Sequence, residues 1–230
     1  MSKYFFVSFI VLILISVGCS SETQNANTAV NTAVNAPANT VTETLPEVDV
    51  NAPFVPSANP KDDLLNSTKR LQAHESWSAT NVNDAMPEVK TVFEFSAPDR
   101  YHIKNDLTEI IAIGSDSYVK EDGEWKKVPE DIGAQIEEMK NTFNAEGMKA
   151  IKEVKKTGTE KIGGKDATIY EYSVAPDANS VKRSTKVWIA NDSGFPLKIV
   201  VEVENAGEKQ KVTTTYDYSK PVKIEAPEIQ

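Results

Sequence analysis

Apolar and polar residues follow three regimes along this chain. The first is an almost unbroken apolar run from Tyr4 to Val17, preceded by one charge, Lys3. The second, from Ser20 to about Pro60, has no regular apolar period and is built from Asn, Thr, Ala and Pro; Asn27-Thr28-Ala29-Val30 is followed at once by Asn31-Thr32-Ala33-Val34. The third alternates short helical stretches with runs of period two. A spanning helix needs about 20 apolar residues, so the first run reads as the apolar core of a secretory leader behind a positive start. The second cannot bury enough apolar surface to offset its ordering entropy and reads as a disordered tether.

Within the third regime, Leu64, Leu65, Thr68 and Leu71 share one helical face. Pro60 suits a first turn, and Asp62 and Asp63 suit the positive helix end. Period two then takes over. Val89, Thr91, Phe93 and Phe95 fall on one side of a strand, Tyr101 and Ile103 on one side of the next, and Leu107, Ile111 and Ile113 on one side of a third. Asp122-Gly123 splits Ser117–Val128 into a hairpin. A second helix is expected behind Asp131, carrying Ile132, Ile136, Met139 and Phe143 at helical spacing. Met148 to Lys156 fits either a helix or a strand. Gly163-Gly164, Asn191-Asp192-Ser193-Gly194 and Asn205-Ala206-Gly207 then punctuate an antiparallel meander that ends at Pro221. Helix, strands, helix, strands predicts an α+β domain dominated by antiparallel sheet.

Charge and cysteine content narrow the function. The 230 residues carry 25 basic and 34 acidic side chains, a net of −9, which disfavours nucleic acid as a partner. The single cysteine, Cys19, excludes an intrachain disulfide framework and a multi-cysteine metal site. Its setting, Ile15-Ser16-Val17-Gly18-Cys19, resembles the lipobox of bacterial lipoproteins, with Ser16 standing where the pattern has an aliphatic residue. The resemblance implies cleavage before Cys19 and acylation of its thiol, a lasting anchor once several acyl chains are attached. The expected organisation is a leader over 1–18, a lipidated and disordered tether over 19–59, and one folded domain over 60–228. The location is the cell envelope. Ser20 in place of Asp favours the outer membrane, facing the periplasm, in a Gram-negative cell; in a Gram-positive cell the chain would sit on the outer face of the cell membrane.

A second resemblance covers the folded domain. Val187-Trp188-Ile189-Ala190-Asn191-Asp192-Ser193-Gly194-Phe195-Pro196-Leu197-Lys198 is similar to a strand–turn–strand of the LolA-like superfamily. Thr157–Lys165 with Thr168–Tyr172 is similar to the strand pair before it. Thr215–Ile224 fits the mycobacterial LppX/LprG branch. The resemblance implies an antiparallel β half-barrel wrapped over α-helices, with an apolar cavity between them that takes a lipid or a lipidated cargo. Candidate lining residues are Phe93, Phe95, Tyr101, Ile111, Trp125, Tyr170 and Trp188, with Trp77 as a further aromatic; Met139, Phe143 and Met148 are candidates for a lid. The alternative is an envelope sensory or protein-interaction domain of the same fold, filled by its own side chains and carrying no lipid.

Catalysis is not expected. His74 and His102 are isolated in sequence, and the acidic pairs Asp62-Asp63, Glu121-Asp122 and Glu137-Glu138 fall at a helix start, a turn and a polar helix face. No nucleophile elbow, phosphate loop or HExxH is present. No cofactor and no metal site are expected.

Overall fold

The computed structural model describes residues 49–141, 151–174, 181–205 and 207–229. The leader, Cys19 and the first part of the tether lie outside them, as do Phe143 and Met148. Two helices and eleven strands are described. They are α1 (Pro60–Ala73), β1 (Ser76–Asn83), β2 (Met86–Ser96), β3 (Arg100–Lys104), β4 (Glu109–Ile113), β5 (Asp116–Glu121), β6 (Glu124–Val128), α2 (Ile132–Asn141), β7 (Ile151–Ile162), β8 (Lys165–Val174), β9 (Lys182–Ala190), β10 (Pro196–Asn205) and β11 (Glu208–Asp217).

The strands form one antiparallel sheet in the order β6-β5-β4-β3-β2-β1-β11-β10-β9-β8-β7. It consists of two meanders, β1–β6 and β7–β11. The pairing of β1 with β11, from Ser78↔Asp217 to Asn83↔Val212, joins them. The sheet is open: β6 and β7 end the order and do not pair with each other. With two helices on one face this is the α+β half-barrel that the resemblance implies. Lys155, Lys156 and Lys161 mark the long edge strand β7, a composition that discourages edge-to-edge association.

Each helix covers one meander. Asn59 caps α1 by accepting from Lys61 N at 3.1 Å, and Pro60 fills the first turn. Its buried side is Asp63, Leu64, Ser67 and Arg70, and Leu64 packs with Ile151, Tyr170, Tyr172, Val187 and Ile189. Asp131 caps α2 through Ala134 N at 2.8 Å. Ile132 and Ile136 lie on Phe93, Phe95, Tyr101, Ile103, Ile110 and Val119.

Three readings change: two expectations are corrected and one that was open is decided. Leu107 is 72 % exposed in the turn before β4; the residues of that strand facing the helices are Ile110 and Ala112, not Ile111 and Ile113. The ambiguous stretch up to Lys156 is, from Ile151 onward, the start of β7. The third concerns the domain boundary. Asp49 to Asn59 belongs to the folded body. Phe54 is buried against Leu64 and Ile189, its N–H donates to Asp192 O at 3.3 Å, and Ser57 N donates to Asp63 Oδ1 at 2.6 Å. One aromatic residue in a polar stretch is what turns the end of the tether into a docked strap.

Candidate functional site

Side chains alternate faces along a strand, so the cross-strand register sorts every residue of the sheet. On the helix side of the first meander, Ala79, Phe93, Ile103, Ile110 and Val119 form one row across β1 to β5. Trp77, Phe95, Tyr101 and Ala112 form the next. An aromatic belt follows the second row and continues onto β11. Ring centroids are 5.3 Å apart for Phe95–Tyr101, 5.6 Å for Trp77–Phe95, 5.6 Å for Trp77–Tyr216 and 6.1 Å for Tyr216–Tyr218. It ends on Phe195 and His74 at the C-terminus of α1.

A polar clamp holds α2 over this belt. The Tyr101 hydroxyl donates a hydrogen bond to Glu137 Oε1. Lys140 Nζ donates to Tyr101 Oη and to Glu137 Oε1, each at 2.9 Å, and lies 4.6 Å from the centroid of Phe95. Burial, then the hydrogen bond to Glu137 and its charge, raises the Tyr101 phenol well above its ordinary value, so it remains a donor. Gln72 of α1 reaches Lys140 O at 3.1 Å and ties the ends of the two helices together. Beside the clamp is an open recess of about 230 Å³, lined in part by Asp99, Tyr101, Asp131 and Glu137.

The second meander has its own buried polar centre. Asp63, 1 % exposed, accepts from Tyr170 Oη at 2.8 Å and pairs with Lys156 Nζ at 2.9 Å. Burial, then Asp63, pushes the Tyr170 phenol above its ordinary range. Seven residues further along α1, Arg70 uses one nitrogen, Nη1, on Val50 O, Ala52 O and Ser193 O at 3.2, 2.9 and 3.0 Å. Both buried charges of α1 therefore hold the strap.

The seven candidate lining residues separate. Phe93, Phe95 and Tyr101 come together under α2, and Tyr170 lies under α1. Ile111, Trp125 and Trp188 are on the opposite face and are not part of that interior. Ile111 packs with Tyr118 and with Ile224 of the C-terminal segment, and Trp125 lies against the same cluster. Trp188 is covered by Lys198, 4.5 Å from its ring, and donates to Glu160 Oε2 at 2.7 Å. The reason is that strand alternation groups residues by face without saying which face is inside, and here both faces carry apolar clusters. Sequence reasoning left out Tyr216, and Trp77 proves central to the belt. Their signal was present as aromatic residues in strands that pair across the meander junction, a pairing that local pattern does not reveal.

His102 is on the outer face between Glu94 at 2.7 Å and Glu109 at 3.1 Å; Glu109 also pairs with Lys120 and Lys104. His74 accepts from Ser76 N at the end of α1. Among the described residues no three His, Cys, Asp or Glu side chains form a group that could hold a metal, and no helix is long and apolar enough to cross a membrane.

No family model and no curated protein sequence matches the chain. Solved structures do. LprF from Mycobacterium bovis superposes with a TM-score of 0.56 at 14 % identity, covering 76 % of this chain and 99 % of that one. The Mycobacterium tuberculosis lipoprotein LppX superposes with a TM-score of 0.52 at 16 % identity, covering 72 % and 97 %. At these identities the likeness establishes a shared fold.

Proposed function

We propose that this chain is a membrane-anchored envelope lipoprotein that binds a lipid or a lipidated ligand against the helix-facing side of its half-barrel. The observation carrying this reading is the aromatic belt Trp77-Phe95-Tyr101-Tyr216. It lies on an open sheet between α1, packed over β7 and β10, and α2, which covers its Phe95–Tyr101 end and leaves Trp77 and Tyr216 half-buried. Apolar burial would supply the affinity, at roughly 25 cal/mol per Å² removed from water. The shared fold with LppX, itself described as a lipoprotein, supports the same reading. So does Gly18-Cys19 behind an apolar leader. The role is non-enzymatic: the phenols, carboxylates and lysines of the interior are engaged with one another in clamps. The Asn/Thr-rich tether would let the domain reach from its membrane to a partner in the envelope.

Two experiments test it. The mature chain with Cys19→Ser, exported and purified, is extracted with organic solvent and compared by mass spectrometry with a matched control protein. A stoichiometric lipid is the expected result. A clean extract, together with no uptake of a fluorescent acyl lipid, sinks the carrier reading and leaves a protein-binding domain of the same fold. For the anchor, wild-type protein should fractionate with membranes and the Cys19→Ser chain with the soluble fraction.

A further inference from the structure

The helix-facing side of the sheet is not uniformly apolar. One row of the register crosses it as Lys156, Tyr170, Val187, Ile199, Thr214, Asn81 and Thr91. Its middle, where β11 meets β1, consists of Thr214 and Asn81, 6 % and 8 % exposed. The neighbouring rows there are Ala79 with Phe93 on one side and Val212 on the other. Asn81 Oδ1 is buried without a hydrogen-bond partner. So is Ser67 Oγ, on the buried side of α1. Leaving a buried carbonyl oxygen unpaired costs about 1–3 kcal/mol, and native interiors rarely tolerate it without a reason. A Leu or Val at position 81 would avoid the cost and suit a strand better.

We infer that this polar band is the head-group end of the binding site, and that the ligand is an amphiphile whose polar head carries a hydrogen-bond donor, such as a hydroxyl, directed at Asn81 Oδ1. The inference rests on the lipid-binding reading and specifies its ligand. Asn81 Oδ1, the atom of the amide that is buried and unpaired, accepts and cannot donate; an ester or ether oxygen would find a partner only by turning the amide to bring Nδ2 inward, whereas a donor is met as the side chain stands. A hydroxyl supplies the missing proton and can accept in turn. Lys156, the one cation of the row, is engaged with Asp63 at 2.9 Å, so the band offers no free positive charge that would select a carboxylate head. The apolar tail would lie along the aromatic belt, which begins one row away.

The test uses two ligands that differ only in the donor. The mature chain with Cys19→Ser is equilibrated with an equimolar mixture of oleyl alcohol and oleyl methyl ether and freed of excess by gel filtration. Both ligands are then quantified by gas chromatography. We expect the alcohol to be retained about tenfold over the ether, the size of one buried hydrogen bond made against one left open. Asn81→Leu should bring the ratio close to one by improving ether binding. Equal retention by the unsubstituted site overturns the inference, whatever Asn81→Leu does to folding, and leaves lipid binding intact; it would mean that a water or nothing at all meets Asn81. An unchanged preference in a folded Asn81→Leu chain overturns it as well. Retention of neither ligand overturns both the inference and the lipid-binding reading.

Discussion

The two buried charges of α1 hold backbone, and single residues show it best. Arg70 is 4 % exposed and serves three carbonyls, two of them in the strap. Arg70→Met keeps the volume and removes every donor. It should cost about 2–4 kcal/mol of unfolding free energy in urea titration; a change within error would show the three carbonyls to be well hydrated without it. Gly194 is a second test of the same junction. Its φ is +72°, and a Cβ there would lie 2.5 Å from Phe54 Cδ2. Gly194→Ala should therefore destabilise by about 2 kcal/mol or more, through both the left-handed backbone and the clash. Combined with Phe54→Ala the clash with the ring disappears and only the 3.0 Å approach to Arg70 Cδ remains, so the two substitutions should cost less together than their sum. On the outer face, Glu109 responds to pH. Burial raises its carboxyl, but hydrogen bonds from Lys120 and His102 and the charges of Lys104 and Lys120 outweigh this and hold it below the ordinary 4.5. A folded value below the unfolded one contributes stability above the unfolded value, and the contribution fades as pH falls through the folded one. Glu109→Gln should thus narrow the gap between urea midpoints at about pH 7 and pH 3; an unaltered gap would place the acid sensitivity elsewhere.

Elements differ in how firmly they are held, and α2 is the one to probe. Its polar attachment is concentrated in Tyr101, Glu137 and Lys140. Tyr101→Phe removes the central hydroxyl and keeps the ring in the belt. It should raise amide exchange across Ile132–Asn141 with a global loss of only about 1 kcal/mol, since the rest of the sheet is untouched. Uniform exchange across the domain would mean that α2 is integral to the core. Elements were legible in the sequence where local chemistry dictates them. Asp122-Gly123, Gly163-Gly164 and Asn191–Gly194 mark hairpin turns, and the hydrophobic periods of α1 and α2 stand out against their caps. β1 was not, because Ser76–Asn83 places Trp77, Ala79 and Asn81 inside and only the first is a strong apolar signal. The facing of β4 was ambiguous for a physical reason. Ile110 and Ala112 meet α2, whereas Ile111 and Ile113 meet Val222 and Ile224, so both faces are apolar and alternation loses its meaning. The same ambiguity misplaced Ile111, Trp125 and Trp188. Asn81 was invisible as a site residue because an Asn in a strand is informative only once its burial and its missing partner are known.

At the scale of the whole molecule, the strap decides where the tether leaves the domain. Ser57 is tied near the start of α1 through Asp63, and Val50 and Ala52 are tied near its end through Arg70. The strap therefore runs antiparallel to α1, and residue 49 lies at the end of the sheet that carries the β9–β10 turn, where Phe54 N meets Asp192 O. On the proposed anchoring through Cys19, the domain would hang from the membrane by that end. Two truncations separate reach from fold. A chain beginning at residue 49 keeps every strap contact and should unfold at the same temperature as the mature chain. One beginning at residue 58 loses the buried Phe54 ring, worth about 2 kcal/mol. It also removes two of the three carbonyls that Arg70 serves and the Ser57 N–H that Asp63 accepts, at about 1 kcal/mol for each hydrogen bond lost. In a domain of this size each 1 kcal/mol moves the midpoint by about 2–4 °C, so a drop on the order of 10 °C is expected in a thermal melt. Equal midpoints for the two truncations would return Asp49–Asn59 to the tether and move the boundary of the folded domain back to Pro60. A drop already at residue 49 would show that the Asn/Thr-rich segment itself packs on the domain, and the tether would then have to be read as part of the fold.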